Sequence, residues 1–148
     1  MKKKLLVFIA CACILSALIM ELLPSGVAMN FAVRDGEESI VRMYPYFSDL
    51  PYGYANFSPL LIGILTCVCI ILCAASFLRG IKRTWVRGLP IPVAVICSIC
   101  VLLSFLQLVM RTDSFTPIGA VITVLMLAAA VCSYKSRADI DTPDAPQE

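Results

Sequence analysis

Long apolar stretches alternate with short polar segments along this chain. The four stretches are Leu5–Leu23, Pro59–Leu78, Ile91–Met110 and Pro117–Tyr134. Each has roughly the 17 to 25 residues that a helix needs to cross the hydrocarbon core of a bilayer. Because lipid offers no partner to backbone N–H and C=O groups, such segments must form internally bonded helices. The pattern predicts an all-α membrane protein: a four-transmembrane-helix bundle (residues 1–134) with one outer loop (residues 24–58) and a disordered cytoplasmic tail (residues 135–148).

Small or weakly polar residues recur in each stretch at steps of three or four, which keeps them on one face of a helix. Membrane helices meet through such residues, because leucine gains nothing by leaving lipid. We call these faces the seams: Ala10, Cys13, Ala17 and Glu21; Gly63, Thr66, Cys69, Cys73 and Ser76; Ala94, Cys97, Cys100, Ser104 and Gln107; Gly119, Thr123, Met126, Ala130 and Ser133. They predict a compact bundle that hides the seams and turns its large aliphatic side chains toward lipid.

The basic residues predict the orientation. The composition is 60% hydrophobic and 15% charged, whereas soluble domains carry about 25% charged residues. Three of the twelve basic residues precede the first stretch, four lie in residues 79–90 and two open the tail, which leaves Arg34, Arg42 and Arg111 for the other side. Short loops rich in Lys and Arg stay cytoplasmic. We therefore predict a multi-pass protein of the cell (inner) membrane with both termini inside.

The first stretch also fits a secretory signal. Lys2–Lys4 precede an apolar run, and Gly26–Ala28 supply small residues for cleavage after Ala28. Its apolar run is at the long end for a signal, and Glu21–Leu23 extend it to the length of a span. We predict a retained helix and keep cleavage as the alternative.

Glu21 is the only Asp, Glu, Lys or Arg within the four apolar stretches. Such residues are functional candidates because burial of their charge is costly. Glu21 lies about one helical turn from Pro24, so its carboxylate is expected to reach the headgroup region. Gln107 and Arg111 lie at the matching depth of the third stretch, and a cluster of the three would join two helices. The alternative is a coupling role for Glu21 and Gln107 in a transporter or channel.

Residues 43–57 contain four of the five tyrosines. Aromatic residues before a span form an interfacial belt or, as hot spots, a binding surface. The candidates for a partner-binding loop are Tyr44, Tyr46, Phe47, Tyr52, Tyr54 and Phe57. Upstream, residues 37–43 are predicted as a short amphipathic helix along the membrane, with Ile40, Val41 and Met43 toward lipid.

The eight cysteines all lie inside the apolar stretches, which indicates small packing residues rather than disulfides of the outer loop. Cys97 and Cys100 form a C-x-x-C pair, so a membrane thiol oxidoreductase is an alternative. In this the chain resembles the vitamin K epoxide reductase and disulfide-bond-forming quinone reductase families. The resemblance implies a reactive pair at the outer membrane face and a second cysteine pair in an outer loop, whereas this pair lies in the middle of a span and the outer loop has no cysteine. The sequence has no histidine, and we find no catalytic signature or nucleotide-binding loop. We predict no metal, cofactor or nucleic acid.

The segments Leu23–Gly26 and Pro51–Pro59 resemble small four-span membrane proteins of bacteria, in which an aromatic loop ending in G-Y-A-N-F leads into the second helix. The resemblance implies the architecture and carries no activity. We predict a non-enzymatic accessory or protein-interaction subunit that contacts the bilayer and a membrane-protein partner or a second copy of itself. A small transporter or channel component is the alternative.

Overall fold

The structure is a computed structural model that describes residues 2–31, 40–48, 57–77, 90–110 and 116–141. These residues are mostly helical. The elements in chain order are α1 (Lys2–Glu21), β1 (Val27–Phe31), β2 (Ile40–Tyr44), α2 (Ser58–Phe77), α3 (Pro90–Met110) and α4 (Pro117–Asp141). By length and composition, α2, α3 and α4 are able to cross a membrane, whereas the apolar part of α1 is shorter and spans Leu5–Glu21.

Prolines mark where three of the helices begin. Pro59 is the second residue of α2, while Pro90 and Pro117 open α3 and α4. Proline suits the first helical turn because its missing N–H has no intrahelical partner there. The far end of α4 differs from the prediction, since the helix continues past Tyr134 to Asp141. Hydropathy does not mark a helix that extends beyond its apolar part. Of the tail predicted to be disordered, residues 142–148 lie outside the described part.

The helices form a ring in which each packs against two neighbours. α1 packs against α4 and α2, and α3 packs against the same two helices. All five seam residues of α3 are buried, and the described seam residues of the other helices are buried or half-buried. Large apolar side chains such as Phe8, Ile71, Leu102 and Val124 point outward. The predicted seams are confirmed as the faces around which the bundle closes.

A two-stranded antiparallel hairpin corrects the all-α expectation. β1 pairs with β2 from Val27 opposite Tyr44 to Phe31 opposite Ile40. The helix predicted for residues 37–43 is wrong from Ile40 onward, and residues 37–39 lie outside the described part. Ile40–Tyr44 is rich in β-branched, aromatic and long apolar side chains, which suit a pleated surface. Since this hairpin follows α1 and precedes α2, it lies at one end of the bundle.

Candidate functional site

Glu21 ends α1 and is fully buried. Its Oε1 lies 2.7 Å from the hydroxyl oxygen of Thr66, a seam residue of α2. The same hydroxyl oxygen lies 3.0 Å from the carbonyl oxygen of Ile62, one turn earlier in α2. The carboxyl therefore joins α1 to α2 inside the bundle, and its position differs from the predicted reach to the headgroups.

The second carboxyl oxygen of Glu21 is the unusual atom of the site. Among the described residues, Oε2 is the one buried side-chain oxygen or nitrogen without a hydrogen-bond partner. An unsatisfied buried polar group costs about 1 to 3 kcal/mol, and more when it is charged. The described residues give it no ion pair. An unsatisfied group of this kind in a native fold calls for an explanation.

The main chain of Glu21 holds the segment that follows the hairpin. The backbone N–H of Tyr46 donates to the carbonyl oxygen of Glu21 at 3.1 Å, and the Tyr46 side chain is buried. A Cβ at Gly26 would lie 2.8 Å from Cδ2 of the Tyr46 ring, so this ring needs glycine there. Burial raises the pKa of the Tyr46 phenol well above its ordinary value, and Glu21 adds to the shift.

Thr116 ties the start of the hairpin to α4. Its hydroxyl donates to the carbonyl oxygen of Gly26 at 2.6 Å and accepts from the N–H of Gly119 at 3.1 Å. The second contact is an N-cap, which satisfies one of the free N–H groups of the first helical turn. One buried side chain thus fixes both the beginning of α4 and the link between α1 and β1.

On α3, Ser104 and Gln107 are buried near the C-terminal end of the helix, the end that precedes α4 in the chain. The structure thus buries two members of the predicted cluster, Glu21 and Gln107, while Arg111 lies outside the described residues. The observed side-chain partner of Glu21 is Thr66, which lies on the predicted seam of α2 but was not predicted to contact Glu21. Thr66 carries the one hydroxyl on the predicted seam of α2 near its first turns, and this was the available signal.

The candidate aromatic loop is divided by the fold. Tyr46 is buried, and Tyr44 and Phe47 are half-buried. The ring of Phe47 lies against Gly63 of α2. Phe57 is 62% exposed, while Tyr52 and Tyr54 lie outside the described residues. Tyr46 and Phe47 therefore pack on the protein itself, and Phe57 is the most exposed of the loop aromatics that the structure describes.

The two strands of the hairpin have opposite environments. Val27, Ala28 and Met29 of β1 are buried, whereas Ile40, Val41 and Met43 of β2 are between 50% and 54% exposed. Arg42 is also exposed. β1 therefore holds the hairpin on the molecule, and β2 presents three apolar side chains on its surface, a feature typical of protein or membrane contact sites.

The thiols lie between the helices. Cys69 and Cys97, on α2 and α3, have sulfur atoms 3.9 Å apart, and both are free. Cys97 and Cys100 are fully buried, whereas thiol–disulfide exchange needs access to the attacking sulfur. Within the described ranges no group of three or more His, Cys, Asp or Glu side chains is arranged to hold a metal ion. These positions agree with packing.

The described polar residues near this end of the bundle are buried: Glu21 with its partner Thr66, and Tyr46, Ser104, Gln107 and Thr116. Such a set can bind a proton or fix helices together. No protein-family model, curated protein or solved structure matches this chain. The function must therefore be argued from these residues.

Proposed function

We propose that this chain is a four-span protein of a bacterial inner membrane that acts as a non-enzymatic accessory or protein-interaction subunit. α1 is the fourth span in this proposal. Its 17 apolar residues, Leu5–Glu21, are about 26 Å long at 1.5 Å per residue, against a hydrocarbon core of about 30 Å. Its side chains Leu5, Phe8, Leu15 and Ile19 point outward, as lipid-facing residues do. The bacterial setting rests on the resemblance of the aromatic loop.

The orientation has both termini in the cytoplasm. With four spans, the basic segments before α1, between α2 and α3 and after α4 share one side, which the positive-inside rule makes cytoplasmic. The hairpin then faces outward. A cysteine-free variant with one reporter cysteine at Ser39 or at Gln147 tests this with an impermeant maleimide. We expect labelling of intact cells at Ser39 only, and labelling at Gln147 would reverse the orientation.

The buried packing of α1 supports a retained first helix. Cleavage after Ala28 would divide β1 and remove Glu21, which bonds to Thr66 and to Tyr46. Mass spectrometry of the protein purified from membranes is the test. We expect residues 1–28 to be present, whereas a mature chain that begins at Met29 would contradict the four-span proposal.

The exposed apolar side chains of β2 are the observation that carries the interaction proposal. Ile40, Val41 and Met43 lie on an element outside the three candidate spans. Because side chains alternate along a strand, Val41 and Met43 share one face of β2, and Ile40 lies with the exposed Arg42 on the other. β2 is paired with β1, which is itself buried against the protein. A partner that binds β2 therefore loses little free energy in ordering the strand. We infer that a membrane-protein partner covers the face of β2 that carries Val41 and Met43.

A photo-crosslinking amino acid at Val41 or Met43 tests the partner in native membranes. Val124 is the matched control, because it is 65% exposed in the middle of α4. We expect a discrete protein adduct from the two hairpin positions and none from Val124. The adduct formed from Val41 should disappear when Met43→Asp is added, without loss of the protein from the membrane. Lipid adducts alone at all three positions would contradict the proposal.

A small transporter or channel component is the second candidate, and one observation favours it. Glu21 is fully buried with Oε2 unpartnered, and Gln107 is buried at the same end of the bundle. Intramembrane carboxyls of this kind mark ion pathways. If Glu21→Gln abolishes a phenotype while the protein accumulates normally, the transport function replaces the accessory one.

A further inference from the structure

The contact between Glu21 and Thr66 allows the hydrogens to be counted. The Thr66 hydroxyl oxygen has two oxygen neighbours, Oε1 of Glu21 at 2.7 Å and the carbonyl oxygen of Ile62 at 3.0 Å. A threonine hydroxyl has one hydrogen and can also accept. If Glu21 is ionised, both neighbours are acceptors, and one of the two contacts has no hydrogen. If Oε1 carries a proton, it donates to Thr66, Thr66 donates to Ile62, and both contacts are hydrogen bonds.

None of the described residues places a positive charge beside the carboxyl of Glu21. The titratable groups within electrostatic range are Tyr46 after the hairpin, Cys69 of α2 and Cys100 of α3. All three are neutral when protonated. On α4 the described ionisable residues lie from Cys132 onward, at the end opposite to the Thr116 cap. With the described residues alone around it, a carboxylate at Glu21 would therefore be a buried charge without a counter-ion, which is costly.

We propose that Glu21 is a buried proton-binding site whose bound state is the neutral carboxylic acid donating to Thr66. Among the described residues no group of three or more His, Cys, Asp or Glu side chains is arranged to hold a metal ion, and the sodium test below distinguishes a proton from a cation held by oxygen ligands alone. Release of the proton leaves the carboxylate, with Thr66 donating to Oε1 instead of to Ile62. The inference depends on neither proposed function, and it names the ion that a transporter built on Glu21 would use.

Infrared spectroscopy of the protein in lipid bilayers tests the protonation state directly. A carboxylic acid has a C=O stretching band that is separate from the carboxylate bands. At neutral pH solvated Asp and Glu side chains are ionised, so they contribute carboxylate bands only. We expect an acid band in the wild type that is missing in Glu21→Gln. Glu38→Gln is the matched control and should retain the acid band.

Two further measurements keep the test decisive if Glu21→Gln fails to accumulate. In the wild type, uniform ¹³C-glutamate should shift the acid band, and ¹³C-aspartate should leave it in place. Thr66→Val, which removes the hydroxyl at similar volume, should move the band to higher wavenumber, whereas Thr66→Ser should leave it unchanged. These shifts identify the hydrogen bond as well as the residue.

Either of two results would overturn the proposal. The first is a wild-type spectrum at neutral pH without an acid band, together with loss of carboxylate absorption in Glu21→Gln. The second is an acid band that disappears when sodium replaces choline at constant ionic strength, because Glu21 would then be a cation site. An acid band that is indifferent to sodium and assigned to glutamate supports the proton site.

Discussion

Gly63→Ala offers a sharp test of how the loop is docked. Gly63 belongs to the seam predicted to bring helices together, yet the atoms nearest to its Cβ position are on the ring of Phe47, which follows the hairpin. A Cβ there would lie 2.8 Å from Cζ and 2.9 Å from Cε1 of that ring. These distances are below van der Waals contact, so Phe47 must move when the methyl group is added.

Two opposing terms set the magnitude. Alanine in place of glycine inside a helix is favourable by about 0.5 to 1 kcal/mol. Overpacking of a well-packed contact costs about 1 to 3 kcal/mol. With Phe47 present, we expect Gly63→Ala to destabilise the protein by up to about 2.5 kcal/mol. With Phe47→Ala, the ring is gone, and the same change should stabilise it by about 0.5 to 1 kcal/mol.

A double-mutant cycle measures this reversal. The wild type, both single variants and the double variant are unfolded in detergent micelles by a denaturing detergent, and helix content is followed by circular dichroism. Ala74→Gly, at an exposed position of α2, calibrates the helix-propensity term. The reasoning is refuted if Gly63→Ala has the same effect with and without Phe47, because the ring would then not lie on Gly63.

Three further predictions concern the buried polar residues. Thr66→Val should weaken the contact of α1 with α2 by about 1 to 2 kcal/mol in the same unfolding assay, whereas Thr66→Ser should cost little. Thr116→Val should remove the N-cap of α4, lower the stability by about 1 kcal/mol and speed amide hydrogen exchange at Gly119. Unchanged exchange at Gly119 would argue against the cap. Replacement of both Cys97 and Cys100 by alanine should leave folding and membrane accumulation intact, and loss of a thiol-redox activity in that variant would contradict their packing role.

The seams could be predicted because they depend on side-chain size and helical period alone. Ala94, Cys97, Cys100, Ser104 and Gln107 follow steps of three and four, and all five are buried. The helix bounds follow as well, since prolines begin three of the helices. The end of α4 beyond Tyr134 was missed, because residues after an apolar stretch carry no hydropathy signal of helix. The bounds of α1 also differ, since this helix begins at Lys2 rather than Leu5 and ends at Glu21 rather than Leu23.

The contacts of the loop could not be predicted, since they join residues far apart in the chain. Glu21 and Thr66 are 45 positions apart, and Thr116 and Gly26 are 90 apart. For Glu21, the distance from the helix end and the helical periodicity gave different predictions. Its nearness to Pro24 suggested the headgroups, while its place on the seam of α1 indicated burial. The seam was the better guide, because rotation about the helix axis decides which neighbour a side chain meets.

Glu21 makes the two candidate functions physically related. Its side chain binds Thr66 within the bundle, and its main-chain carbonyl holds Tyr46 beside the hairpin. A charge on the carboxyl would need a stabilising partner that the described residues do not supply, and Tyr46, which follows the hairpin, is buried. Loss of the proton should therefore loosen the segment that positions β2. A proton bound at Glu21 would then favour the docked hairpin, so that binding of a partner to β2 and protonation of Glu21 would each raise the affinity of the other.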